Sequence, residues 1–161
     1  MSRGLLFVDQ ELGGTVPFDI YLQFPPFESI EEEDDFFMSS ADDYPERYWF
    51  DRQKMDRLVE VQQRLASEPA VGKLISLATL ESVAADLNED KLSSAEIAYL
   101  VGALPESIRR EMIDPYAKPE LGLLRISGRA IEFHETYQPF EITARLQDIA
   151  DEGEGVVLTG L

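Results

Sequence analysis

Two stretches of alternating hydrophobicity constrain the fold of this chain more than any other feature. In residues 15–24, one side of the alternation is apolar and the other is mixed; the apolar side is Val16, Phe18, Ile20, Leu22 and Phe24. A period of two predicts a strand with one buried face. Residues 121–131 repeat the pattern, with one face formed by Leu124, Ile126, Gly128 and Ala130. Pro17 favours the start of the first strand or an edge position, because proline cannot donate to a sheet.

Each alternating stretch is followed by a helical stretch and then by a short β-rich run. Residues 51–67 predict a helix whose apolar side is Met55, Leu58, Val61 and Leu65. The run 71–77 predicts the next strand. Residues 140–151 predict a second helix, with Ile142, Leu146 and Ile149 on one side, and residues 156–159 predict the last strand.

Helices also fill the middle of the chain. Ser93 and Glu96 have the spacing of a capping box, in which each side chain satisfies a free N–H of the first helical turn. Pro105 suits the first position of another short helix, and Asp114-Pro115 should end that helix. We expect this insert to have a thin core of its own and to pack on the sheet or on a neighbouring domain.

The order of elements predicts an α+β protein with a ferredoxin-like, split βαβ sandwich of four strands and helices on one face. We expect an N-terminal lead-in at residues 1–14 and a single folded domain at 15–161. That domain should contain one βαβ unit at 15–77, a helical insert at 78–114 and a second βαβ unit at 121–161. A chain of this size can bury enough surface to fold without a disulfide or metal.

The charge is strongly acidic, with 32 Asp and Glu against 14 Lys and Arg and a formal net charge of −18. Nucleic-acid affinity depends on Lys and Arg displacing counterions, so we expect no nucleic-acid partner. The same charge disfavours binding to anionic membrane surfaces. It also favours solubility, and this is the simpler explanation of it.

The sequence offers little for metal or cofactor chemistry. It has no cysteine, and His134 is the single histidine. Zinc sites usually need three or four nitrogen or sulfur ligands, so a role for His134 with Glu132 or Glu135 is the weaker hypothesis. The acidic run 31–35 lacks the glycine turn and the ligand spacing of a calcium-binding loop and predicts a solvated segment. We expect no cofactor and no metal.

Catalytic motifs are also missing from the sequence. Gly72-Lys73 has neither the upstream glycine nor the following Ser or Thr of a phosphate-binding loop, and no Gly-x-Ser-x-Gly occurs. We therefore expect that the chain is not an enzyme. A carboxylate-based hydrolase stays open as a less favoured hypothesis, which requires two carboxylates facing each other across a cleft.

Aromatic side chains cluster before the first predicted helix and in the loop that precedes it. These residues are candidates for a surface that binds hydrophobic cargo or a protein partner: Phe36, Phe37, Tyr44, Tyr48, Trp49 and Phe50. The alternative is that they pack the helix against the sheet. Sequence alone favours neither interpretation.

Several segments, in order, resemble one protein family. Residues 12–19 (LGGTVPFD) are similar to the segment after the first transmembrane helix of bacterial RND-superfamily exporters, in the hydrophobe/amphiphile, MmpL-like branch. Residues 71–77 (VGKLISL) resemble the next strand of that family. Residues 104–109 (LPESIR) and 114–116 (DPY) resemble the run before its third strand, and residues 157–161 (VLTGL) resemble the approach to its second transmembrane helix.

The resemblance implies that the chain is the first periplasmic loop of a larger transporter in the inner (plasma) membrane, following a transmembrane helix. It implies a porter-type fold and proton-driven efflux of lipidic or amphiphilic molecules. The implied partners are the remaining transmembrane and periplasmic domains, the cargo, and further copies in the full-length protein. The family's proton-relay residues lie in transmembrane helices, so none is assigned here. The alternative is a free-standing binding module for a hydrophobic ligand or protein.

Overall fold

The computed structural model describes residues 11, 13–27, 45–87, 93–132 and 136–160. Within these residues the protein is α+β, with an antiparallel sheet and helices. The strands are β1 (Val16–Gln23), β2 (Val71–Ile75), β3 (Ala117–Lys118), β4 (Leu123–Ala130) and β5 (Val156–Thr159). The helices are α1 (Arg52–Ala66), α2 (Leu77–Leu87), α3 (Ser94–Gly102), α4 (Glu106–Ile113) and α5 (Pro139–Glu152). Two 3-10 turns, Pro45–Trp49 and Pro119–Leu121, complete the described elements.

The two alternating stretches become the two central strands of the sheet. β1 and β4 pair antiparallel along their full length, from Val16 opposite Ala130 to Gln23 opposite Leu123. The strand order is β2-β4-β1-β5, and every pairing is antiparallel. The predicted α+β class is therefore confirmed, and each predicted strand lies within a residue or two of its expected position.

The predicted apolar faces form one core between the sheet and two helices. Phe18, Ile20 and Leu22 of β1 are buried, and so are the alternate residues of β4 that the sequence placed on one face. α1 buries Met55, Leu58, Val61 and Leu65 against them, and α5 buries Ile142, Leu146, Ile149 and Ala150. Burial of apolar area is the main source of stability here, at about 25 cal/mol per Å².

Gly128 holds a place in the core because it leaves room for an aromatic ring. It lies directly opposite Phe18 on β1, and the same residue faces Leu74 on β2. A Cβ atom at Gly128 would come within 2.4 Å of the Phe18 ring and within 2.8 Å of a Leu74 methyl group. Because Gly128 has no side chain, Phe18 of β1 and Leu74 of β2 can both pack directly against β4.

The sheet contains five strands in the described part of the chain, so the prediction of four was wrong by one. β3 comprises Ala117 and Lys118, which pair with Leu124 and Leu123 of β4. β3 continues the line of β2 along the same edge of β4, since β2 pairs with residues 127–130. A two-residue strand has no periodicity of its own, and its formation depends on the distant partner β4.

The helical insert has the helix cap and the helix ends that the sequence predicted. Ser93 caps α3, with the backbone N–H of Glu96 donating to the Ser93 hydroxyl and the Ser93 N–H donating to the Glu96 carboxylate at 2.7 Å. Pro105 precedes α4 directly, and α4 ends at Ile113 before Asp114. Ile113 belongs to the main core, whereas Ile97 of α3 is buried outside it. The expectation of a thin separate core agrees with this difference.

Two ion pairs join α5 to α1 on the helical side of the sheet. Arg145 donates to Glu68 at 2.7 Å, just beyond the end of α1, and Arg64 pairs with Glu152. Arg145 also lies over the ring of Tyr137, 4.7 Å from its centroid. The partners are partly exposed, so each pair contributes modestly to stability, but together they identify the side of α5 that faces α1.

Candidate functional site: an aromatic corner before the first helix

Four aromatic side chains meet where the end of β1 approaches the start of α1. We call this cluster the aromatic corner; it consists of Phe24, Phe27, Tyr48 and Trp49. Its rings meet edge to face, with centroid separations of 5.8 Å for Phe24–Trp49, 5.7 Å for Phe27–Tyr48 and 4.8 Å for Tyr48–Trp49. Such pairs stabilise by about 0.5–1.5 kcal/mol beyond the area that they bury.

Trp49 lies at the base of the aromatic corner and belongs to the core. Its exposed fraction is 0%, and it joins the same buried cluster as Leu58 of α1. Its indole Nε1 has no hydrogen-bond partner among the described residues. Of the two interpretations of Trp49, the structure supports packing, because no part of this side chain is accessible for cargo or for a partner.

Tyr48 of the aromatic corner and the neighbouring Phe50 lie closer to the surface than Trp49. Both are partly buried and pack against the core, and the Tyr48 hydroxyl donates to the carbonyl of Pro25. Tyr48 therefore ties the segment before α1 to the chain just after β1. The Tyr48 side chain is only partly buried.

Cations from α1 flank the corner. The Lys54 ammonium lies 4.1 Å from the centre of the Tyr48 ring, and the Arg57 guanidinium lies 5.4 Å from the centre of the Phe24 ring. Burial lowers the pKa of Lys54, and the charge of Asp51 partly opposes this. Burial also raises the pKa of Tyr48, with a further contribution from Asp51. The corner thus combines aromatic faces with positive charge, on a chain that is otherwise acidic.

Several residues singled out in the sequence lie outside the described part of the chain. They are the aromatic candidates Phe36, Phe37 and Tyr44, the histidine His134, and the acidic run 31–35. Their predicted roles stay predictions. Of the described candidates, Tyr48 and Trp49 are in contact and Phe50 packs against the core. Their role as a binding surface stays a prediction.

The face of the sheet opposite the helices centres on an ion pair that sequence reasoning missed. Asp19 of β1 accepts two hydrogen bonds from Arg125 of β4, from Nε at 2.8 Å and from Nη2 at 2.9 Å. Arg125 also donates to the carbonyl of Pro115 at 3.2 Å, and the hydrogen bonds to Asp19 raise its pKa. Because two donor groups of Arg125 bind Asp19 and a third binds the Pro115 carbonyl, this arrangement holds two strands and a turn together.

The described residues contain neither a candidate metal site nor a candidate transmembrane helix. No group of three or more His, Asp and Glu side chains is placed there to hold a metal ion. No helix in that part of the chain is long and apolar enough to cross a bilayer.

Sequence reasoning missed Phe24, Phe27 and Lys54 as residues of the candidate site, because their neighbours come from elsewhere in the chain and leave no local pattern.

Comparison of the chain with family models, curated proteins and solved structures finds no match. The fold, the aromatic corner and the ordered sequence motifs are therefore the features that bear on function.

Proposed function

We propose that this chain is an extracytoplasmic domain of a proton-driven RND-superfamily exporter of lipidic or amphiphilic molecules. In this role it contributes to the cargo path and contacts the other periplasmic and transmembrane domains, and it catalyses no reaction. The domain lies on the periplasmic side of the inner membrane. The observation that carries the proposal is the strand order, which suits the porter-type fold that the resemblance implies.

The strand order supports a ferredoxin-like, split βαβ arrangement. β1 and β2 are both antiparallel to β4, so they run parallel to each other with β4 between them. β4 and β5 likewise run parallel with β1 between them. Each parallel pair is joined through one helix, α1 or α5. Two interleaved βαβ units of this kind define the split βαβ motif.

The motifs of the resemblance overlap elements of the kind that the resemblance implies. Residues 13–15 lead directly into β1, and residues 71–77 cover β2 and the start of α2. Residues 104–109 begin α4, ahead of β3 and β4, and residues 157–159 lie in β5. This agreement supports the proposal.

The aromatic corner supports an amphiphilic cargo. Its rings offer apolar contact, while Lys54 and Arg57 add positive charge at the same place. An amphiphile presents an apolar body and a polar head, and both parts find complementary groups here. Trp49 supports the corner from below and does not itself touch cargo.

The open reading frame around this chain tests the proposal directly. We expect predicted transmembrane helices on both sides and, further along, a second periplasmic domain with a similar pattern of strands and helices. The charged residues of the proton relay should lie within those transmembrane helices. A reading frame without hydrophobic helices on both sides of the chain would rule out the exporter.

A second candidate function is a free-standing module that binds a hydrophobic ligand or protein. It is favoured by large apolar side chains exposed on the helical insert: Tyr99, Leu100, Ile108 and Met112. Thermal unfolding with a panel of lipids tests it, because a ligand that binds only the native state must raise stability, by about 2.7 kcal/mol at a hundred times its Kd. If no lipid of the panel raises the Tm, the result counts against the binding module. The exporter proposal does not depend on this result and is tested by the reading frame.

A further inference from the structure

The two edges of the sheet differ in how they are protected from pairing with another strand. The edge formed by β2 and β3 is irregular, since the β2–β4 register shifts between Val71 and Leu74. It also presents exposed lysines, Lys73 and Lys118, and the Lys73 N–H is occupied by the carbonyl of Gly13 at 3.2 Å. A bulge, edge lysines and a covering segment are the usual protections of a natural sheet edge.

The edge formed by β5 has none of these protections within the described residues. Its sequence, Val-Val-Leu-Thr, contains no charge and no proline, and its register with β1 is regular from Asp19–Thr159 to Leu22–Val156. Val157 is 52% exposed. β5 is thus an apolar, uninterrupted strand, and no described strand pairs with its outer side.

The register shows which backbone groups face outward from β5. Gln23 donates its N–H to the carbonyl of Gly155 at 2.8 Å, so this is a hydrogen-bonded pair of the ladder. Hydrogen-bonded pairs alternate with non-bonded ones, which directs the N–H and C=O of Val157 toward β1 and those of Leu158 away from it. The N–H of Val156 is taken by Gly153. The outer side therefore offers the carbonyl of Val156 and both backbone groups of Leu158.

The flank of α5 forms a wall beside this edge. α5 packs against β5, whereas α1 packs against β2. Arg145 and Glu152 identify the side of α5 that faces α1. At about 100° per residue, Phe140, Gln147 and Asp151 lie on the other side, toward the outer edge of β5. Phe140 is 73% exposed, and Gln147 donates to Asp151 at 2.7 Å.

The charge around the edge is negative. Residues 139–160, which form α5 and β5, contain five acidic residues and one basic residue, Arg145. The acidic residues are Glu141, Asp148, Asp151, Glu152 and Glu154. Arg145 and Glu152 pair with Glu68 and Arg64 on the α1 side, outside this stretch, so Asp151 of α5 and Glu154 before β5 are the acids nearest the edge. A second copy of this chain would bring the same charge to the edge, whereas a basic segment is complementary to it.

We infer that the outer edge of β5, with the flank of α5 beside it, is a docking site for an extended, basic segment of a partner polypeptide. The segment adds to the sheet as a further strand and bonds to the outward groups of Leu158 and Val156. Its apolar side chains contact Val157 on the face of the sheet away from the helices, and its alternate lysines or arginines, on the helical face, lie beside Phe140 and Asp151 of α5. Main-chain bonds supply affinity and alternate side chains supply specificity in this mode of recognition. The site is independent of the exporter proposal.

Nuclear magnetic resonance with synthetic peptides tests the site. The probe is acetyl-Lys-Val-Lys-Val-Lys-Val-Lys-amide, and its control replaces each lysine with glutamate. We expect the lysine peptide to shift the amide signals of Val156, Leu158 and Gly160 and to slow hydrogen exchange at Leu158. The glutamate peptide should bind at least about tenfold more weakly, since four charges are reversed. Shifts centred on α3 and α4, or equal binding of both peptides, would overturn the proposal.

A matched pair of variants isolates the backbone contribution. Leu158→Pro removes the outward N–H, a position where an edge strand tolerates proline. Leu158→Ala removes more of the side chain than Leu158→Pro does and keeps the N–H, so lost apolar contact alone would weaken the alanine variant more. We expect the lysine peptide to bind the alanine variant at least about tenfold more tightly than the proline variant, because only the latter has lost a main-chain donor. Equal binding by the two folded variants would contradict strand addition.

A surface variant keeps the test decisive if Leu158→Pro fails to fold. Val157→Lys places a repelling charge on the edge, and Val83→Lys places the same charge on α2, at a residue with the same exposed fraction of 52%. Binding of the lysine peptide should weaken about threefold or more in Val157→Lys and stay unchanged in Val83→Lys. Equal effects of both substitutions would overturn the proposal. So would dimerisation of the unmodified chain through β5, detected by sedimentation, because the edge would then belong to a second copy.

Discussion

Asp51 shows how much one side chain can determine locally. It begins α1 by accepting the backbone N–H groups of Gln53 at 3.0 Å and Lys54 at 3.2 Å. Its backbone is extended, as expected of a residue that precedes a helix. Asp51 also lies near the Lys54 ammonium, at 3.9 Å. One carboxylate thus both starts the helix and steadies the cation beside the aromatic corner.

Replacing Asp51 with alanine should lower the free energy of unfolding by about 1 kcal/mol, since two N–H groups of the first turn lose their acceptor. Asp51→Asn keeps an acceptor oxygen and should cost less than half as much. Urea unfolding followed by circular dichroism measures both changes. Equal losses in the two variants would show that the charge, not the cap, stabilises the start of α1.

The helices differ in the number of side chains that they bury in the main core. α1 and α5 each bury four side chains in the main core, whereas α4 buries Ile113 alone among its residues. Ile108, on the same helix, is 45% exposed, and Ile113 is 2% exposed. Ile113 is therefore the side chain that anchors α4 to the sheet.

Ile113→Ala should lower the free energy of unfolding by about 2–5 kcal/mol, because it removes buried methyl groups and leaves a cavity. Ile108→Ala, the same substitution in the same helix, should change it by no more than about 0.5 kcal/mol. Urea unfolding gives both values, and hydrogen exchange reports whether α4 opens locally. A small loss for Ile113→Ala would mean that α4 is held to the domain by other contacts.

Sequence reasoning succeeded for elements whose signal is local. The capping box at Ser93 and Glu96, the bounds of β5 and the buried faces of β1 and β4 all follow from residue spacing within one stretch. It failed for β3, whose two residues form a strand because β4 lies beside them. The burial of Trp49 was also not predictable from its neighbours in sequence, since its ring packs against Phe24 at the end of β1.

For the whole molecule, the net charge of −18 acts against the compact state through repulsion between carboxylates. The described cations do not remove this repulsion, because there are fewer than half as many basic as acidic residues in the chain. Salt shortens the range of the repulsion, from about 30 Å at 0.01 M to about 3 Å at 1 M. Stability should therefore depend on ionic strength.

Raising sodium chloride from about 0.01 M to about 1 M near neutral pH should raise the Tm by at least about 2 °C. The same change near the isoelectric point of 4.2 should have a smaller effect, because the net charge there is close to zero. Differential scanning calorimetry at both pH values makes the comparison. An equal rise at both would assign the effect to general salting-out and not to repulsion.

The sequence by itself determined the elements, their buried faces and the acidic surface, because periodicity, capping and charge are properties of neighbouring residues. It also predicted the order of the elements, and with it an α+β class. Only the tertiary structure decided which strands lie at the edges, which aromatic side chains meet at the corner, and that Trp49 is buried within it. These features arise where distant segments come into contact, and no local pattern records such contacts. The difference between the edge at β5 and the protected edge at β2 and β3 likewise follows from the strand order, which only the tertiary structure shows.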